Sequence, residues 1–169
     1  MKSSRTTVNS LCKSRRGRVK LALVSIAASS RAKRQSPATL LTQEYTARSS
    51  RMTPLEVLAY STEAALLAIL GRESGRVPTH VCLFDSTGET VTSIEFAQYL
   101  ARVRDGGTQR MVFAIGPASG WSGAVLARAD RVLSLGKLTL PHELARVVVA
   151  EQIYRALTIL AGHPYHLGH

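Results

Sequence analysis

Met111-Val-Phe-Ala-Ile115 is a continuous apolar run, and Gly116-Pro-Ala-Ser-Gly120 follows it directly. A strand that is apolar on both faces is typical of the centre of a parallel sheet, where helices cover each face. The glycines permit a tight turn after the strand, and Ser122 is a suitable residue to cap a following helix. This stretch therefore predicts a buried strand, a loop and a helix, which is the repeating unit of an α/β fold.

Strands alternate with helices on both sides of this unit. Apolar patterns predict further strands at 19–27, 55–60, 81–84 and 132–135. Helical spacing, with Ser93 and Ser122 as caps, predicts helices at 37–49, 61–71, 93–106, 122–129 and 144–160. The predicted fold class is α/β, with a mostly parallel sheet flanked by helices.

Residues 53–60 fit two local structures. Thr53-Pro54-Leu55-Glu56 resembles a capping box with proline at the first helical position, which favours one long helix. Leu55-Glu-Val-Leu-Ala-Tyr60 also has the composition of a strand, after which Ser61 can cap a helix that ends at Gly71. We favour the strand followed by the helix.

The positive charge is concentrated in the first third of the chain. The 169 residues carry a formal net charge of +11, and residues 1–51 contain twelve Lys or Arg against the single acid Glu44. Residues 52–169 contain ten basic and ten acidic side chains and are neutral overall. A polyanion such as RNA is the expected partner of the basic segment, because phosphate contacts supply most non-specific affinity. A solvated basic tail is the alternative.

The N-terminal composition suits a targeting segment or a basic extension. Residues 1–18 are rich in Ser, Arg and Lys and contain no acid, as in transit peptides. The apolar residues 21–28 resemble the core of a signal peptide, although their alternation favours the strand. We interpret 1–17 as a disordered basic extension and 18–169 as one domain, and we expect a cytoplasmic protein.

Membrane and metal-binding classes are not favoured by the sequence. No apolar run approaches the roughly 18 residues that a membrane span needs. Cys12 and Cys82 lie seventy positions apart, and no Cys/His spacing suits zinc. We therefore expect no membrane partner and no metal.

Three strand ends lead into loops that suit a ligand. These loops are 84–88, 116–120 and 135–142. In open α/β sheets, ligands bind beyond the carboxyl ends of the strands. Neither a GxGxxG nor a GxxxxGK[ST] motif is present, so a Rossmann or Walker nucleotide site is unsupported. Each glycine taken alone is also compatible with a simple turn.

Polar groups on the last helix and in the tail are the candidate functional side chains. His142 is expected in the first helical turn, where the helix dipole favours a neutral imidazole. Arg146 and Glu151 lie on an otherwise apolar helix and each needs a partner, which structural ion pairing would supply. His163-Pro-Tyr-His166 suits stacking and phosphate contacts with RNA, or packing against a partner subunit.

Three segments resemble one protein family. Leu138-Thr-Leu-Pro-His142, Arg146-Val-Val-Val-Ala-Glu-Gln-Ile-Tyr-Arg-Ala156 and His163-Pro-Tyr-His166 look like the bacterial large-subunit rRNA methyltransferases of the RlmH type, minimal members of the SPOUT class. The resemblance is strong over 81–169 and colinear over 19–80. It implies a C-terminal trefoil knot, a homodimer and an S-adenosyl-L-methionine cofactor. It also implies methylation of N3 of a pseudouridine in the helix 69 loop of 23S rRNA on assembled ribosomes.

The resemblance also implies roles for individual residues. It places the cofactor against Phe84, Gly116, Leu135, Gly136, Lys137, Leu138, Thr139 and Leu140. We expect His142 or His166 to assist catalysis and Arg146 or Arg155 to orient a uracil or phosphate oxygen. The expected RNA contacts are Arg155, His163, Tyr165 and His166.

The sequence departs from the family pattern at several positions. The family has leucine where Phe84 stands, its glycine-rich loop lacks the equivalent of Pro117 and carries an acid, and its tail continues to a basic residue where Leu167 stands here. These departures support two alternatives, a non-catalytic RNA-binding or ribosome-binding protein on the same fold and a SPOUT methyltransferase with another RNA target. An exported basic protein is a third alternative.

Overall fold

A sheet of five parallel strands forms the centre of the protein in the computed structural model, which describes residues 19–26, 36–73 and 77–166, without the side chains of residues 72, 73 and 166. The predicted extension 1–17 lies outside these residues. The strands are β1 (Lys20–Ile26), β2 (Leu55–Tyr60), β3 (Thr79–Thr90), β4 (Arg110–Ile115) and β5 (Arg131–Ser134), in the order β2-β1-β4-β3-β5. The predicted parallel α/β class is confirmed, and the trefoil knot stays a prediction.

Helices connect the strands, as the alternating pattern predicts. They are α1 (Pro37–Ser50), α2 (Glu63–Glu73), α3 (Ser93–Asp105), the short α4 (Gly123–Leu126) and α5 (His142–Leu160), and a 3-10 turn follows at Pro164–His166. The predicted helices at 37–49 and 144–160 agree with α1 and α5 to within two residues.

The side-chain alternation of the strands divides the core between the two faces of the sheet. Leu21, Leu23 and Phe113 point to the face that α3 and α5 cover, with Tyr45 of α1 packed against the same cluster. Ala22 and Val24 point to the opposite face, which α2 and α4 cover. Both faces of β1 and β4 are thus buried, which explains why these two strands are apolar at nearly every position.

The last helix uses most of its apolar surface within the chain itself. Its buried residues face the sheet, α1 and α3, and they are Ala145, Val149, Ala150, Ile153, Ala156, Leu157 and Thr158. Leu144 and Leu160 stay exposed. The apolar character of this helix is therefore explained by packing within one chain, and the homodimer stays a prediction from the family resemblance.

Residues 55–60 form the edge strand β2, so the strand interpretation is confirmed and the long helix is wrong. This segment pairs with β1 along its whole length, from Leu21 opposite Leu55 to Ile26 opposite Tyr60. The Leu21 N–H also donates to the Pro54 carbonyl. Sheet pairing with a distant segment outweighs the local capping signal.

Two predicted helix caps are shifted by one residue. Thr92, not Ser93, caps α3, because its hydroxyl accepts from the Glu95 N–H while the Glu95 carboxylate accepts from the Thr92 N–H. Thr62, not Ser61, accepts from the Ala65 N–H at the start of α2. Threonine and serine both cap helices well, so the sequence alone did not decide which residue of each adjacent pair is the cap.

Strand β3 is longer than predicted because it leaves the sheet and returns. The sequence placed its end at Asp85, but pairing with β5 resumes after an excursion, and both Phe84 and Glu89 lie opposite Leu133. Gly88 makes the return possible, since an ideal Cβ on it would lie 2.5 Å from the carbonyl carbon of Leu133. The excursion 85–88 projects from the carboxyl edge of the sheet.

Gly88→Ala should lower the free energy of unfolding by about 1–3 kcal/mol, because the added methyl group meets backbone that cannot move aside. Gly71→Ala is the matched control, since it adds the same methyl group to an exposed helix position with no atom within 4 Å. That change should raise stability by up to about 1 kcal/mol through helix propensity. Urea denaturation of both variants checks this, and equal effects would contradict the close approach at Gly88.

Candidate functional site

The three predicted loops meet at the carboxyl edge of the sheet around a cavity of about 580 Å³. The excursion after Phe84, the loop after Ile115 and the segment between β5 and α5 form its walls. The lining residues are Phe84, Asp85, Ser86, Ile115, Gly116, Pro117, Ala118, Gly120, Trp121, Ser134, Leu135, Gly136, Leu138, Thr139, Leu140, Pro141, His142 and Ala145. The volume and the mostly apolar lining suit a small organic ligand.

Seven of the eight residues predicted to hold the cofactor line this cavity, and Lys137 does not. Lys137 is exposed, beside Gly136, whose φ of +123° is a backbone conformation that favours glycine. The next residue, Leu138, lines the cavity although it is 85% exposed, so it stands at the rim.

Trp121 closes one wall of the cavity and was not predicted as a site residue. Its ring packs on Gly116, where an ideal Cβ would lie 2.8 Å from the ring, and its Nε1–H donates to the Phe84 carbonyl at 3.0 Å. Trp121 thereby joins the ends of β3 and β4. An aromatic residue directly after Gly120 was the available clue in the sequence.

Asp85 was also missed, because one acid in a loop carries no motif. Its Oδ1 accepts from the N–H of Thr87 at 2.9 Å and from the Thr87 hydroxyl at 2.7 Å. These hydrogen bonds hold the pKa of Asp85 below its ordinary value. The carboxylate is thus ionised at neutral pH and fixed at the cavity wall.

His142 enters the cavity with a defined tautomer. Its Nδ1 lies 3.1 Å from the Gly116 carbonyl oxygen. A carbonyl can only accept, so Nδ1 carries the proton and Nε2 carries the lone pair. Nε2 is buried and has no hydrogen-bond partner among the described residues. Burial lowers the pKa of His142, and the Arg146 charge acts in the same direction, so the ring is neutral at pH 7.

Arg146 lies one helical turn beyond His142 on α5. Its Nε is buried and finds no acceptor in the part of the chain that the structure describes. An unpaired buried polar atom is costly, so a ligand or a second chain is the expected acceptor. Arg146 does not line the cavity itself.

Glu151 does find partners, as its position on an apolar helix requires. Its Oε1 accepts from the Arg155 guanidinium at 2.7 Å and from the Tyr165 hydroxyl at 3.1 Å. The Arg155 guanidinium also lies 5.1 Å from the centre of the Tyr165 ring. These contacts fasten the C-terminal turn to α5.

The residues predicted to contact RNA are not brought to the cavity within one chain. Arg155 and Tyr165 lie near the far end of α5, and thirteen residues of helix place Arg155 about 20 Å along the axis from His142. His163 is exposed, and its Nδ1 accepts from the Tyr165 N–H at 3.2 Å. The side chain of His166 lies outside the described residues.

Within the described ranges, no helix is long and apolar enough to cross a membrane. The same ranges contain no group of three or more His, Cys, Asp or Glu side chains arranged to hold a metal ion. Cys82 is buried, and burial raises the pKa of its thiol to about 12, so it is not a reactive nucleophile.

The pKa of His142, measured by NMR titration, should lie below 6.5, because the folded protein disfavours the charged ring. Folding stability linked to this residue should be complete above pH 6.5 and should decrease as the pH falls toward the lowered pKa. His142→Gln should lose this part of the pH dependence and identifies the resonance. A pKa at or above 6.5 would contradict the buried, unpartnered environment.

Comparisons with known proteins agree on one family. The family described as predicted SPOUT methyltransferase matches residues 20–166. The chain is 51% identical over 129 residues to the ribosomal RNA large subunit methyltransferase H of Koribacter versatilis (strain Ellin345), covering 76% of this chain and 88% of that protein.

A second relative, the ribosomal RNA large subunit methyltransferase H of Geobacter metallireducens, is 47% identical over 131 residues, covering 73% of this chain and 85% of that protein. Among solved structures, a probable methylase family protein from Haemophilus influenzae Rd KW20 has a TM-score of 0.51 and 11% identity, covering 89% of this chain and 70% of that one, and it supports the fold alone. The chain therefore belongs to the SPOUT methyltransferase family, in the branch that contains the ribosomal RNA large subunit methyltransferases H.

Proposed function

We propose that this protein methylates the RNA of the large ribosomal subunit, using S-adenosyl-L-methionine as methyl donor. Membership of the family and the names of the two relatives support the reaction class. The observation that carries the proposal is the cavity at the carboxyl edge of the sheet, which His142 and seven of the eight predicted cofactor residues line. The finer target is N3 of a pseudouridine in the helix 69 loop of 23S rRNA on assembled ribosomes, and such a substrate would place the protein in the cytoplasm.

The cavity fits S-adenosyl-L-methionine in size and in chemistry. Its volume of about 580 Å³ lies in the range of small-molecule sites. The backbone of the 116–120 and 135–140 loops forms its walls, as suits hydrogen bonds to a purine, and Leu135, Leu138 and Leu140 offer apolar contact. When bound, the cofactor supplies a methyl group already activated on a sulfonium, so the protein mainly has to position two reactants.

The proposed cofactor contacts come from Phe84, Gly116 and the loop 135–140, although exposed Lys137 can contribute only its backbone or a movement of its side chain. The altered loop 116–120 still closes correctly, because the Gly120 N–H donates to the Pro117 carbonyl at 3.0 Å. The lost N–H of Pro117 therefore does not open the wall.

His142 is suited to accept a hydrogen bond from a ligand and poorly suited to store a proton. A lowered pKa makes the imidazole a weak base at neutral pH, while its lone pair stays available. We assign His142 to positioning within the cavity and Arg146 to an oxygen of the uracil or of a phosphate. His166 is the proposed group that assists removal of the imide proton.

The RNA-binding surface is proposed to combine the basic N-terminal segment with Arg155, His163 and Tyr165. Because Arg155 lies about 20 Å from His142 along one helix, a homodimer is the simplest way to bring such groups near a cavity. Leu138 and Leu144 are exposed apolar residues near the cavity and are available for contact with a second copy.

The purified protein should bind S-adenosyl-L-methionine in calorimetry and should transfer its labelled methyl group to ribosomes that lack the helix 69 methylation. Mapping the label on 23S rRNA tests the nucleotide. Label on another nucleotide would indicate a different RNA target, and cofactor binding without any label would contradict the ribosomal substrate. Absence of both would leave the RNA-binding alternative.

His166→Ala should lower turnover at least tenfold, the lower end of what a positioned acid or base contributes, and should leave cofactor affinity nearly unchanged. His142→Ala is the comparison, and it should weaken cofactor binding because it removes a group that lines the cavity. Binding by calorimetry and single-turnover methyl transfer separate the two effects. An equal loss of cofactor affinity in both variants would refute the role of His166.

A further inference from the structure

We infer that Asp85 is the counter-ion of the positively charged end of the cofactor, and that this one carboxylate selects the charged methyl donor. The inference rests on the proposed function, since it presumes that the cavity binds S-adenosyl-L-methionine. It adds a residue that sequence analysis did not assign to the site.

The fold delivers Asp85 to the cavity by a dedicated excursion. Residues 85–88 leave the β3–β5 ladder and return to it opposite the same residue, Leu133. The return depends on Gly88, because any side chain there would collide with the backbone of β5. Asp85 is the first residue of this excursion and lines the cavity together with Ser86.

The carboxylate is held in place within its own excursion. Thr87 donates its N–H and its hydroxyl to Oδ1, at 2.9 and 2.7 Å. A carboxylate has about four acceptor positions, so these donors leave capacity for a ligand. The fixed position lowers the entropic cost of binding a cation, because the side chain is already ordered.

The charge balance of the lining favours a cation. Of the described residues that line the cavity, Asp85 and His142 are the ionisable ones, and Asp85 is ionised at neutral pH while His142 is neutral. The lining of the cavity therefore carries one negative charge. S-adenosyl-L-methionine offers two positive groups, the sulfonium and the α-ammonium, and either is a suitable partner for a carboxylate.

A purely structural role for Asp85 makes a different prediction. If the carboxylate only fixed the turn of the 85–88 excursion through Thr87, its neutralisation would weaken the binding of every ligand of the cavity equally. If it is a counter-ion, the loss of affinity depends on the charge of the ligand. Asn is nearly isosteric and keeps an oxygen acceptor for Thr87, so Asp85→Asn separates charge from shape.

The experiment measures the binding of three ligands to wild type and to Asp85→Asn, by calorimetry and by the fluorescence of Trp121, the single tryptophan of the chain. The ligands are S-adenosyl-L-methionine, S-adenosyl-L-homocysteine and 5′-methylthioadenosine, which carries neither positive group. The variant should weaken S-adenosyl-L-methionine binding roughly tenfold or more and should leave 5′-methylthioadenosine binding within about twofold. S-adenosyl-L-homocysteine keeps the α-ammonium and lacks the sulfonium. If its affinity is unchanged in the variant, the sulfonium is the partner of Asp85. If its affinity falls as much as that of S-adenosyl-L-methionine, the α-ammonium is the partner.

Two controls make the result specific. Glu89→Gln removes the same charge from the same strand, but Glu89 pairs with Arg131 and does not line the cavity, so all three affinities should be unchanged. Thr87→Val removes one hydrogen bond to Asp85. It should lower the affinity for S-adenosyl-L-methionine less than Asp85→Asn does. Thermal unfolding confirms that each variant is folded.

An equal loss for all three ligands, or no loss for any, would overturn the inference while the proposed function stands. Failure of the wild type to bind any of the three would refute the proposed function, and the inference with it.

Discussion

Parallel pairing of β4 with β3, and of β3 with β5, is the constraint on which the site depends. Parallel strands bring all their carboxyl ends to one edge, so the loops after Phe84, Ile115 and Ser134 must meet there. The apolar side chains of β4 stabilise this arrangement, because both faces of the strand are buried between two helical layers. The cavity is thus a consequence of strand direction and not of any single loop.

Hydrogen-bond satisfaction separates structural from functional polar groups on α5. Glu151 has strong donors in Arg155 and Tyr165, and together they fasten the C-terminal turn. His142 and Arg146, at the other end of the same helix, each keep a buried nitrogen without a partner among the described residues. A folded chain seldom leaves such atoms unpaired, and of these two residues His142 lines the cavity while Arg146 lies one helical turn beyond it.

The parts of the site that lie within one segment of sequence were predictable, and the parts that depend on contacts between distant segments were not. Strand β4 with its glycine loop is one contiguous segment, and the motif around His142 is another. The placement of both was predicted. The roles of Asp85 and Trp121 were not, since they come from contacts across loops that are far apart in the chain. The length of β3 was missed for the same reason, because its second half is defined by pairing with Leu133 and not by its own polar composition.

The sequence by itself determined the α/β class, the edge of the sheet where the cavity lies and the family. These follow from apolar periodicity and from a specific run of residues, both of which are local properties. Only the tertiary structure decided that Asp85 faces the same cavity as His142, and that the groups after Arg155, about 20 Å along α5 from His142, are fastened to that helix and not to the cavity. Such distances depend on how separate elements pack, and packing is a property of the whole fold that no single segment encodes.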